Sequence, residues 1–264
     1  MARSKTVTVA PARKPKKQYK LLFMVLPFMV LVLLFNYVPI FGWIYSVFDY
    51  VPGVPIMECD FMGLDYFKMI MKDANVIRAL KNTFIFAGIS IILTPLPMIF
   101  AILLNELTGT RLRKITQTIT YMPHFISAVV ICGLMLDFCK TNGVITSVFC
   151  AVTGQEASNM FSHSAYFQPL YVLMCIWQEF GWDSIIYFAA LTGIDQSLYE
   201  AAEIDGANRF KKIIHVTLPG ISPTIVILLI MRIGNMMTLG WDKILLLYNP
   251  MVYEKADVIS TYVY

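Results

Sequence analysis

Long apolar runs constrain this sequence more than any other feature. No charged side chain occurs between Leu21 and Phe48, and about 20 apolar residues are enough for a helix to cross a membrane. The run is longer than a signal-peptide core of about 7–15 residues, and no small-residue cleavage site follows it, so we predict an uncleaved span. Hydrophobic residues make up 58% and charged residues 14% of the 264 residues, against about 45–50% and about 25% in soluble domains. The sequence therefore predicts an all-α, polytopic membrane helix bundle.

Five such runs are predicted to be membrane spans, at residues 21–48, 82–105, 115–136, 170–194 and 220–240. Pro27 and Pro39 are expected to kink or end the first span. Pro95 and Pro97 are expected to bend the second, because a membrane helix accommodates proline where neighbouring groups satisfy the freed carbonyls.

The distribution of lysine and arginine predicts the orientation of these spans. The proposed inner segments (1–20, 106–114 and 195–212) contain thirteen basic residues, and the proposed outer loops (49–81, 137–168 and 241–264) contain seven. Cytoplasmic loops carry the excess of positive charge in membrane proteins. We therefore predict a multi-pass protein of the cytoplasmic membrane, with residues 1–20 forming a basic cytoplasmic tail. The net charge of +4 is clustered in this way, which favours membrane orientation over nucleic-acid binding.

The outer loops are predicted to be turn-rich, and in the last one Glu254, Lys255 and Asp257 are expected to be exposed. Cys139 and Cys150 could share an outer loop and form a disulfide, but the five cysteines are an odd number, which favours free thiols. The cysteines include no C-x-x-C pair, so neither a metal site nor a redox motif is predicted.

A polar segment between the last two predicted spans, residues 195–219, has the pattern of two helices joined by a turn. Ser197 and Glu200 have the spacing of a capping box, which predicts that the first helix begins there. Gly206 is predicted to end it in the left-handed conformation, where glycine carries no Cβ penalty. One face of this helix is small and apolar up to its last position, and it carries Leu198, Ala201, Ala202 and Asp205.

The second helix of the segment is basic. It carries Arg209, Lys211, Lys212 and His215. Leu218-Pro219 is predicted to end it, because the residue before a proline is disfavoured in the α region.

This segment resembles the signature of the integral-membrane permease subunits of binding-protein-dependent ABC importers. The resemblance is carried by Glu200-Ala201-Ala202, Gly206, Val216 and Leu218-Pro219, with valine in place of the family's isoleucine. It implies that residues 195–219 are the coupling loop that docks onto a cytoplasmic ATPase. The residues that would do so are Glu200, Ala201, Ala202, Asp205, Gly206, Leu218 and Pro219. The alternative is an ordinary amphipathic helix in a cytoplasmic loop.

Two further stretches carry a resemblance to carbohydrate permeases of the polysaccharide, aldotetraouronate and maltose type. Residues 121–127, Tyr-Met-Pro-His-Phe-Ile-Ser, resemble a stretch of that branch and place His124 inside a predicted span. Residues 256–264 resemble the segment that leads into the last span of these permeases, and the resemblance implies a sixth span that is missing here. His124 is a candidate for the substrate path, because ionisable side chains inside spans are rare and often functional. The alternative is a neutral histidine bonded to a backbone carbonyl near a proline kink.

The fourth predicted span contains polar residues in its middle. Glu179 and Asp183 cannot face lipid without a cost of at least about 2–3 kcal/mol each, so they are predicted to face the bundle interior, a partner or a watery cavity. Arg232 in the fifth span needs a partner, and one of these two carboxylates is predicted to be it. Trp177, Gln178 and Trp182 are substrate-path candidates, since aromatic rings beside polar groups suit sugars. The alternative for all three is helix packing or an interfacial aromatic belt.

Enzyme and nucleotide motifs are absent from the sequence. It contains no G-x-x-x-x-G-K-[ST] phosphate loop, no H-E-x-x-H and no G-x-S-x-G, so neither catalysis nor ATP binding by that loop, and no cofactor, is predicted.

The family resemblance implies a permease that moves a sugar or oligosaccharide by alternating access. It implies four partners besides membrane lipid: a dimer of cytoplasmic ABC ATPases, a second homologous permease, an extracytoplasmic sugar-binding lipoprotein and the sugar. A membrane receptor or assembly subunit without transport activity is the alternative.

Overall fold

The computed structural model describes residues 19–107, 109–237 and 241–264. Residues 1–18 of the predicted tail, residues 1–20, lie outside the described residues, and the tail's last two residues belong to a helix that begins at Tyr19. The chain divides into two compact units, one ending at Met71 and the other running from Lys72 to Tyr264. The described residues are mostly helical, with an isolated antiparallel bridge between Phe48 and Phe61. The predicted all-α helix bundle is therefore confirmed.

The first unit is dominated by one helical segment that changes its type along its length. Helix α1 (Tyr19–Val32) passes into a π-helical turn (Leu33–Tyr37) and then into a 3-10 helix (Val38–Val47). The π turn ends two residues before Pro39, whose ring would clash with the carbonyl four residues back in a regular α-helix. Neither Pro27 nor Pro39 ends the segment. A short helix, α2 (Asp65–Ile70), follows after an irregular loop.

The second unit contains the remaining helices. They are α3 (Ala74–Ile92), α4 (Pro95–Glu106), α5 (Thr110–Tyr121), α6 (Ala128–Cys139), α7 (Val144–Thr153), α8 (Ser164–Thr192), α9 (Gln196–Ile204), α10 (Arg209–Lys212), α11 (Leu218–Gly234), α12 (Trp241–Leu247), α13 (Tyr253–Ala256) and α14 (Ile259–Val263). Helix α8 is central, because α4, α5, α11 and α13 all pack against it.

Four helical segments in the described part of the chain are long and apolar enough to cross a membrane. They are Leu21–Val47, Ala74–Glu106, Ala128–Thr153 and Arg209–Gly234. The fourth predicted span, residues 170–194, is not among them, although α8 has 29 residues and would be about 43 Å long at about 1.5 Å per residue. The polar residues in the middle of α8 lower its mean hydropathy. Length and composition therefore give four candidate spans in the described part of the chain, where the sequence predicted five.

The third predicted span, residues 115–136, is wrong as a single helix. Helix α5 ends at Tyr121, a 3-10 turn follows at Met122–Phe125, and α6 begins at Ala128. Pro123 cannot donate to the helical ladder, and the Ser127 side chain accepts from Val130 N, which starts a new helix. The second predicted span does bend as expected, since α3 ends at Ile92 and α4 begins at Pro95.

The predicted outer loops contain more structure than expected. Residues 137–168 include all of α7, and α3 begins at Ala74, within the predicted loop 49–81. The prediction that residues 241–264 form an exposed loop is wrong in part, because Ile244, Leu247 and Val252 belong to the main apolar core. Glu254 is exposed as predicted, and Lys255 is half-buried. The predicted fifth span, residues 220–240, reaches only Gly234 as helix α11, and its last three positions lie outside the described residues.

Asp257 is buried, with 4% of its surface exposed, and the prediction that it is exposed is wrong. Its carboxylate accepts from Tyr248 OH at 2.9 Å, Thr261 Oγ1 at 3.0 Å and Arg78 Nη2 at 3.3 Å. Asn82 Nδ2 on α3 donates to the Asp257 carbonyl oxygen at 2.9 Å. A buried carboxylate is stable when such donors satisfy it. These contacts fix the C-terminal segment against α3.

Candidate functional site

Helix α9 begins at a different cap from the one predicted. Asp195 is the N-cap, and its Oδ1 accepts from Ser197 N at 2.9 Å. Both Asp and Ser are favoured N-cap residues, and Asp195 takes the position because it lies close behind Gly193, where α8 has ended. The predicted capping box at Ser197 and Glu200 is therefore wrong by two residues. The backbone N–H that Asp195 accepts lowers the pKa of its carboxyl group.

Helix α9 ends as predicted, at a left-handed glycine. Gly206 has φ of +73°, and its N–H donates to Glu203 O at 3.0 Å while Ala207 N donates to Ala202 O at 2.9 Å. These two bonds form a Schellman motif, which satisfies carbonyls that the end of a helix leaves free. Helix α9 is therefore capped by the Asp195 side chain at its N-terminal end and by backbone hydrogen bonds at its C-terminal end.

The second helix of the loop does not end at Leu218-Pro219, and that prediction is wrong. Asn208 caps α10 by accepting from Lys211 N at 2.9 Å. The chain then stays helical through a π-helical turn, Ile213–Thr217, and continues as α11. As in the first unit, the π turn precedes a proline, here Pro219. The second arm of the loop and the long apolar helix α11 thus form one continuous helix.

The residues of the predicted coupling loop lie largely on the surface. Glu200, Ala201, Asp205, Gly206 and Pro219 are exposed, and Ala202 and Leu218 are half-buried. The loop also exposes large apolar side chains, with Ile204 at 87% and Phe210 at 75%. These side chains are available for contact with another protein or with lipid.

Two contacts hold α9 against the second arm of the loop. Glu203 Oε2 accepts from Lys212 Nζ at 2.8 Å, and Tyr199 OH lies 2.9 Å from Thr217 Oγ1. The Lys212 ammonium lowers the pKa of the Glu203 carboxyl group. The two helices of the loop are therefore connected by side chains as well as by the turn at Gly206.

A cluster of charged side chains surrounds the middle of α8. Glu179 accepts from Lys243 Nζ at 2.9 Å through Oε1, and its Oε2 lies 2.7 Å from His124 Nδ1. Asp183, one turn further along α8, accepts from Arg232 Nη2 at 2.6 Å. Arg232 Nη1 also donates to Ser90 O at 3.1 Å. The predicted pairing of Arg232 with a carboxylate of the preceding span is confirmed, and Asp183 is the partner.

This cluster opens into a cavity of about 310 Å³, which we call the central cavity. Glu179, Asp183, Arg232 and Lys243 line it together with apolar and aromatic residues of α3, α4 and α8. Its volume lies at the lower end of the range of about 300–1,000 Å³ for small-molecule sites. The central cavity offers two carboxylates and two cations, so it can accept and donate hydrogen bonds.

The predicted substrate-path residues divide between two places. His124 stacks on Trp182 with ring centroids 4.3 Å apart and an angle of 3° between the planes, and both lie beside Glu179 without lining the central cavity. Trp177 is 45% exposed. Gln178 is buried and donates to Ile126 O at 3.2 Å. The structure therefore joins His124 and Trp182 to the charged cluster and leaves Trp177 and Gln178 outside the cavity lining.

A close helix contact brings His124 to Glu179. Gly181 faces the Thr120 backbone of α5, where a Cβ atom would collide with the Thr120 carbonyl oxygen. Glycine therefore permits α5 to approach α8 at a position between Glu179 and Asp183. The 3-10 turn that follows α5 carries His124, so this approach brings His124 to Glu179.

Lys243 is the functional candidate that the sequence analysis missed. It lies on α12, in a segment predicted to be an outer loop, yet its side chain is only 13% exposed. The signal was a lysine next to Ile-Leu-Leu-Leu, since an apolar run predicts burial of the helix that carries it.

The helical bundle, its charged interior cavity and its exposed helix–turn–helix loop define a polytopic membrane protein of the transport class. A family model described as "Binding-protein-dependent transport system inner membrane component" matches residues 93–240. The chain belongs to this family, whose members are transport permeases.

Curated relatives and solved structures agree with this assignment. The polygalacturonan/rhamnogalacturonan transport system permease protein YteP of Bacillus subtilis (strain 168) is 38% identical, over 94% of this chain and 78% of the relative. Protein LplB of the same organism is 36% identical, over 94% and 79%. A chain in the crystal structure of a bacterial ABC transporter that imports the acidic polysaccharide alginate has a TM-score of 0.83 and 37% identity, covering 94% of this chain and 84% of that one. A second structure, with an alginate pentasaccharide-bound periplasmic protein, has a TM-score of 0.84 and 38% identity, covering 94% and 83%.

Proposed function

We propose that this chain is the permease subunit of a carbohydrate ABC importer and that residues 195–219 couple it to a separate ATPase. The observation that carries the proposal is the shape of the loop: α9 is capped at both ends, exposed on its Glu200-Ala201 face and followed by a helix that continues into α11. A force applied to α9 would therefore reach α11 through the hydrogen-bonded turn at Gly206, the pair of Glu203 with Lys212 and the continuous helix from α10. The central cavity, bounded by α8, α12 and α11, is where such a movement would change access.

The substrate we propose is a sugar or oligosaccharide. The names of the relatives support this class, since they include permeases for polygalacturonan or rhamnogalacturonan and for arabinooligosaccharides. The central cavity suits it, because carboxylates accept from sugar hydroxyls while Arg232 and Lys243 donate to ring and carboxylate oxygens. His124, Trp182, Trp177 and Gln178 remain candidates for the path beyond the central cavity. The alternative, a receptor or assembly subunit, has less support, because the relatives' names describe transport.

The remaining parts of the proposal concern orientation and partners. We place the N-terminus and the loop at residues 195–219 in the cytoplasm, on the distribution of basic residues. The partners are a dimer of ABC ATPases at the loop, a second permease, and an extracytoplasmic sugar-binding protein. A periplasmic partner of this kind accompanies the alginate importer. Transport proceeds by alternating access driven by the ATPase.

The first experiment reverses a charge on the exposed face of α9. Glu200→Lys should abolish co-purification of the ATPase and reduce uptake at least tenfold, while membrane insertion is unchanged. Glu58→Lys is the control, because Glu58 is equally exposed and lies in the first unit. Retention of the ATPase by the Glu200→Lys protein would refute the docking role.

The second experiment uses two glycines in the same conformation. Gly206 has φ of +73° and Gly154, which ends α7, has φ of +71°, and a Cβ atom at either would have open space. Alanine should impose similar local strain at both positions. We expect Gly206→Ala to weaken ATPase association and Gly154→Ala to leave it unchanged. Equal effects of the two substitutions would show that strain alone, and not the coupling loop, is responsible.

A further inference from the structure

A second cavity, of about 250 Å³, lies where α7 and the following loop meet the start of α8, and we call it the outer cavity. Thr146, Phe149 and Cys150 of α7 form one wall, and residues of the loop 155–163 form another. It shares no lining residue with the central cavity. Because α8 is about 43 Å long and leads into the coupling loop at its other end, the outer cavity lies at the opposite end of the bundle from that loop.

The outer cavity is too large to be explained by a single buried water. One water occupies about 30 Å³ in the liquid, which is a small part of its volume. Thr146 is 1% exposed and lines the cavity, and its Oγ1 has no hydrogen-bond partner among the described residues. Almost none of the surface of this oxygen is accessible, so an occupant of the outer cavity contacts the other lining residues.

The walls of the outer cavity combine aromatic faces with polar groups. Phe149 and Tyr166 meet edge to face with ring centroids 5.5 Å apart. Tyr166 OH donates to Gln155 Oε1 at 3.1 Å, and Ser158 Oγ lies 3.2 Å from His163 Nε2. An aromatic surface can cover the apolar C–H face of a sugar ring while amide and hydroxyl groups bind its hydroxyls. The volume lies below the range for drug-sized ligands, which matches one ring better than a chain.

The charges of the outer cavity select between neutral and acidic rings. Glu156 is the carboxylate among its lining residues, and no lysine or arginine lines it. A carboxylate accepts hydrogen bonds from sugar hydroxyls but repels a uronic acid, because like charges at close range are unfavourable. The central cavity differs, since Arg232 and Lys243 line it.

We propose that the outer cavity binds one neutral sugar ring of the transported carbohydrate before that carbohydrate reaches the central cavity. This inference rests on the proposed function, which supplies the carbohydrate and places this end of α8 outside the membrane. The bound ring donates one hydroxyl to Glu156, while its C–H face lies on Phe149 or Tyr166.

The native cysteines provide the test. Cys150 lines the outer cavity and Cys175 lines the central cavity, while Cys59 lies in the first unit. All three are half-buried free thiols, whereas Cys132 and Cys139 are buried. The alkylation rate of each thiol by N-ethylmaleimide is measured by mass spectrometry, on the full chain in membrane vesicles, with glucose or glucuronate as the probe. Glucuronate differs from glucose by a carboxylate in place of the hydroxymethyl group.

Glucose should slow the alkylation of Cys150 several-fold and leave Cys59 unchanged, and glucuronate should slow Cys150 less. Tyr166→Leu should remove the protection, because it deletes an aromatic face and a hydroxyl group from the cavity wall. Glu156→Gln should let glucuronate protect Cys150 as well as glucose does. Glu156 is exposed, so this substitution should leave the fold intact. The glutamine side-chain oxygen still accepts a hydrogen bond, so glucose should protect Cys150 less than in the native protein but still measurably.

Three results would overturn the proposal. The first is an alkylation rate of Cys150 that neither sugar changes, and the second is equal slowing of alkylation at Cys59. The third is slowing at Cys150 that occurs only when the extracytoplasmic binding protein is present, which would make the outer cavity a contact site for that protein. Failure of the coupling function is distinguishable from these results. It would appear as unchanged ATPase association of the Glu200→Lys protein, and Cys150 protection by free sugar does not depend on the ATPase.

Discussion

Two clusters of polar side chains in the second unit contain buried or half-buried carboxylates, but they differ in access to solvent. The Asp257 carboxylate is 5% exposed and three donors from Arg78, Tyr248 and Thr261 satisfy it. Glu179 and Asp183 are 34% and 32% exposed and line the central cavity. The closed cluster has little room for another ligand, so its role is to hold the C-terminal segment against α3. The open cluster keeps acceptor capacity facing a cavity, which suits a substrate.

Asp257→Ala tests the closed cluster and should have the largest effect on stability. It leaves Tyr248 and Thr261 without their acceptor and Arg78 without its counterion, and breaking a buried ion pair costs about 3–5 kcal/mol. We expect a value near the lower limit, because the Arg78 side chain is 36% exposed. The measurement is thermal unfolding of the protein in detergent. Asp257→Asn is the control and should lose less, since its side-chain oxygen still accepts. An unchanged Tm for Asp257→Ala would remove the distinction between the clusters.

Gly181→Ala tests the packing that assembles the open cluster. The added methyl group meets the Thr120 backbone, and overpacking of this kind costs about 1–3 kcal/mol. Because α5 must move away from α8, His124 should separate from Glu179 and uptake should fall. Gly133→Ala is the control, because nothing lies within 4 Å of a Cβ atom at Gly133. Thermal unfolding and uptake are measured together. Equal behaviour of the two alanine variants would contradict the close contact.

Lys243→Met should separate function from stability in the open cluster. The Glu179 carboxylate is 34% exposed, so losing this pair should change the free energy of unfolding by about 1 kcal/mol. Uptake should nevertheless fall at least tenfold, because a cation that lines the central cavity is lost. Lys140→Met is the matched control: Lys140 pairs with Asp137 at 3.2 Å on the surface. Normal uptake by Lys243→Met would exclude this lysine from the substrate path.

The exposed cap at Asp195 extends the comparison to a carboxylate with no buried face, and it should show the smallest effect. Its folded pKa lies below the unfolded value of about 3.9. The cap therefore stabilises α9 fully above that pH, and its contribution is lost as the pH falls through the lowered folded pKa. The protection factor of the Ser197 amide, which compares its exchange rate with the intrinsic rate at the same pH, should fall several-fold over that range in the native protein. In Asp195→Ala it should already be low at higher pH. Ser197→Ala should leave the protection factors in α9 unchanged. Lower protection factors in that variant would show that Ser197 is the N-cap, as the sequence predicted.

Local chemistry made the structure of residues 195–219 predictable in outline. The turn at Gly206 follows from glycine's freedom at positive φ, and the Glu200-Ala201-Ala202 spacing carried the resemblance to the family. The exact cap did not follow, because Asp195 and Ser197 are both good caps and the end of α8 decides between them. The end at Pro219 was wrong because a π-helical turn accommodates the proline, and the surrounding helices hold that turn in place.

The central cavity was only partly predictable. A charge inside an apolar span demands a partner, so the pairing of Arg232 with Asp183 followed from the sequence. Lys243 did not. The Ile-Leu-Leu-Leu run beside it indicates burial of its helix, but only the packing of α12 against α6 places the lysine beside Glu179. Asp257 was misplaced for the same reason. Its donors come from Arg78, which is 179 positions away, and from nearby Tyr248 and Thr261.

The sequence by itself determined the membrane class, the helical content and the position of the exposed loop, because hydrophobicity, charge bias and glycine conformation act over a few neighbouring residues. The tertiary structure decided which charges meet, which of the loops are buried and where the two cavities lie. Those outcomes depend on contacts between residues far apart in the chain, and no local pattern specifies them.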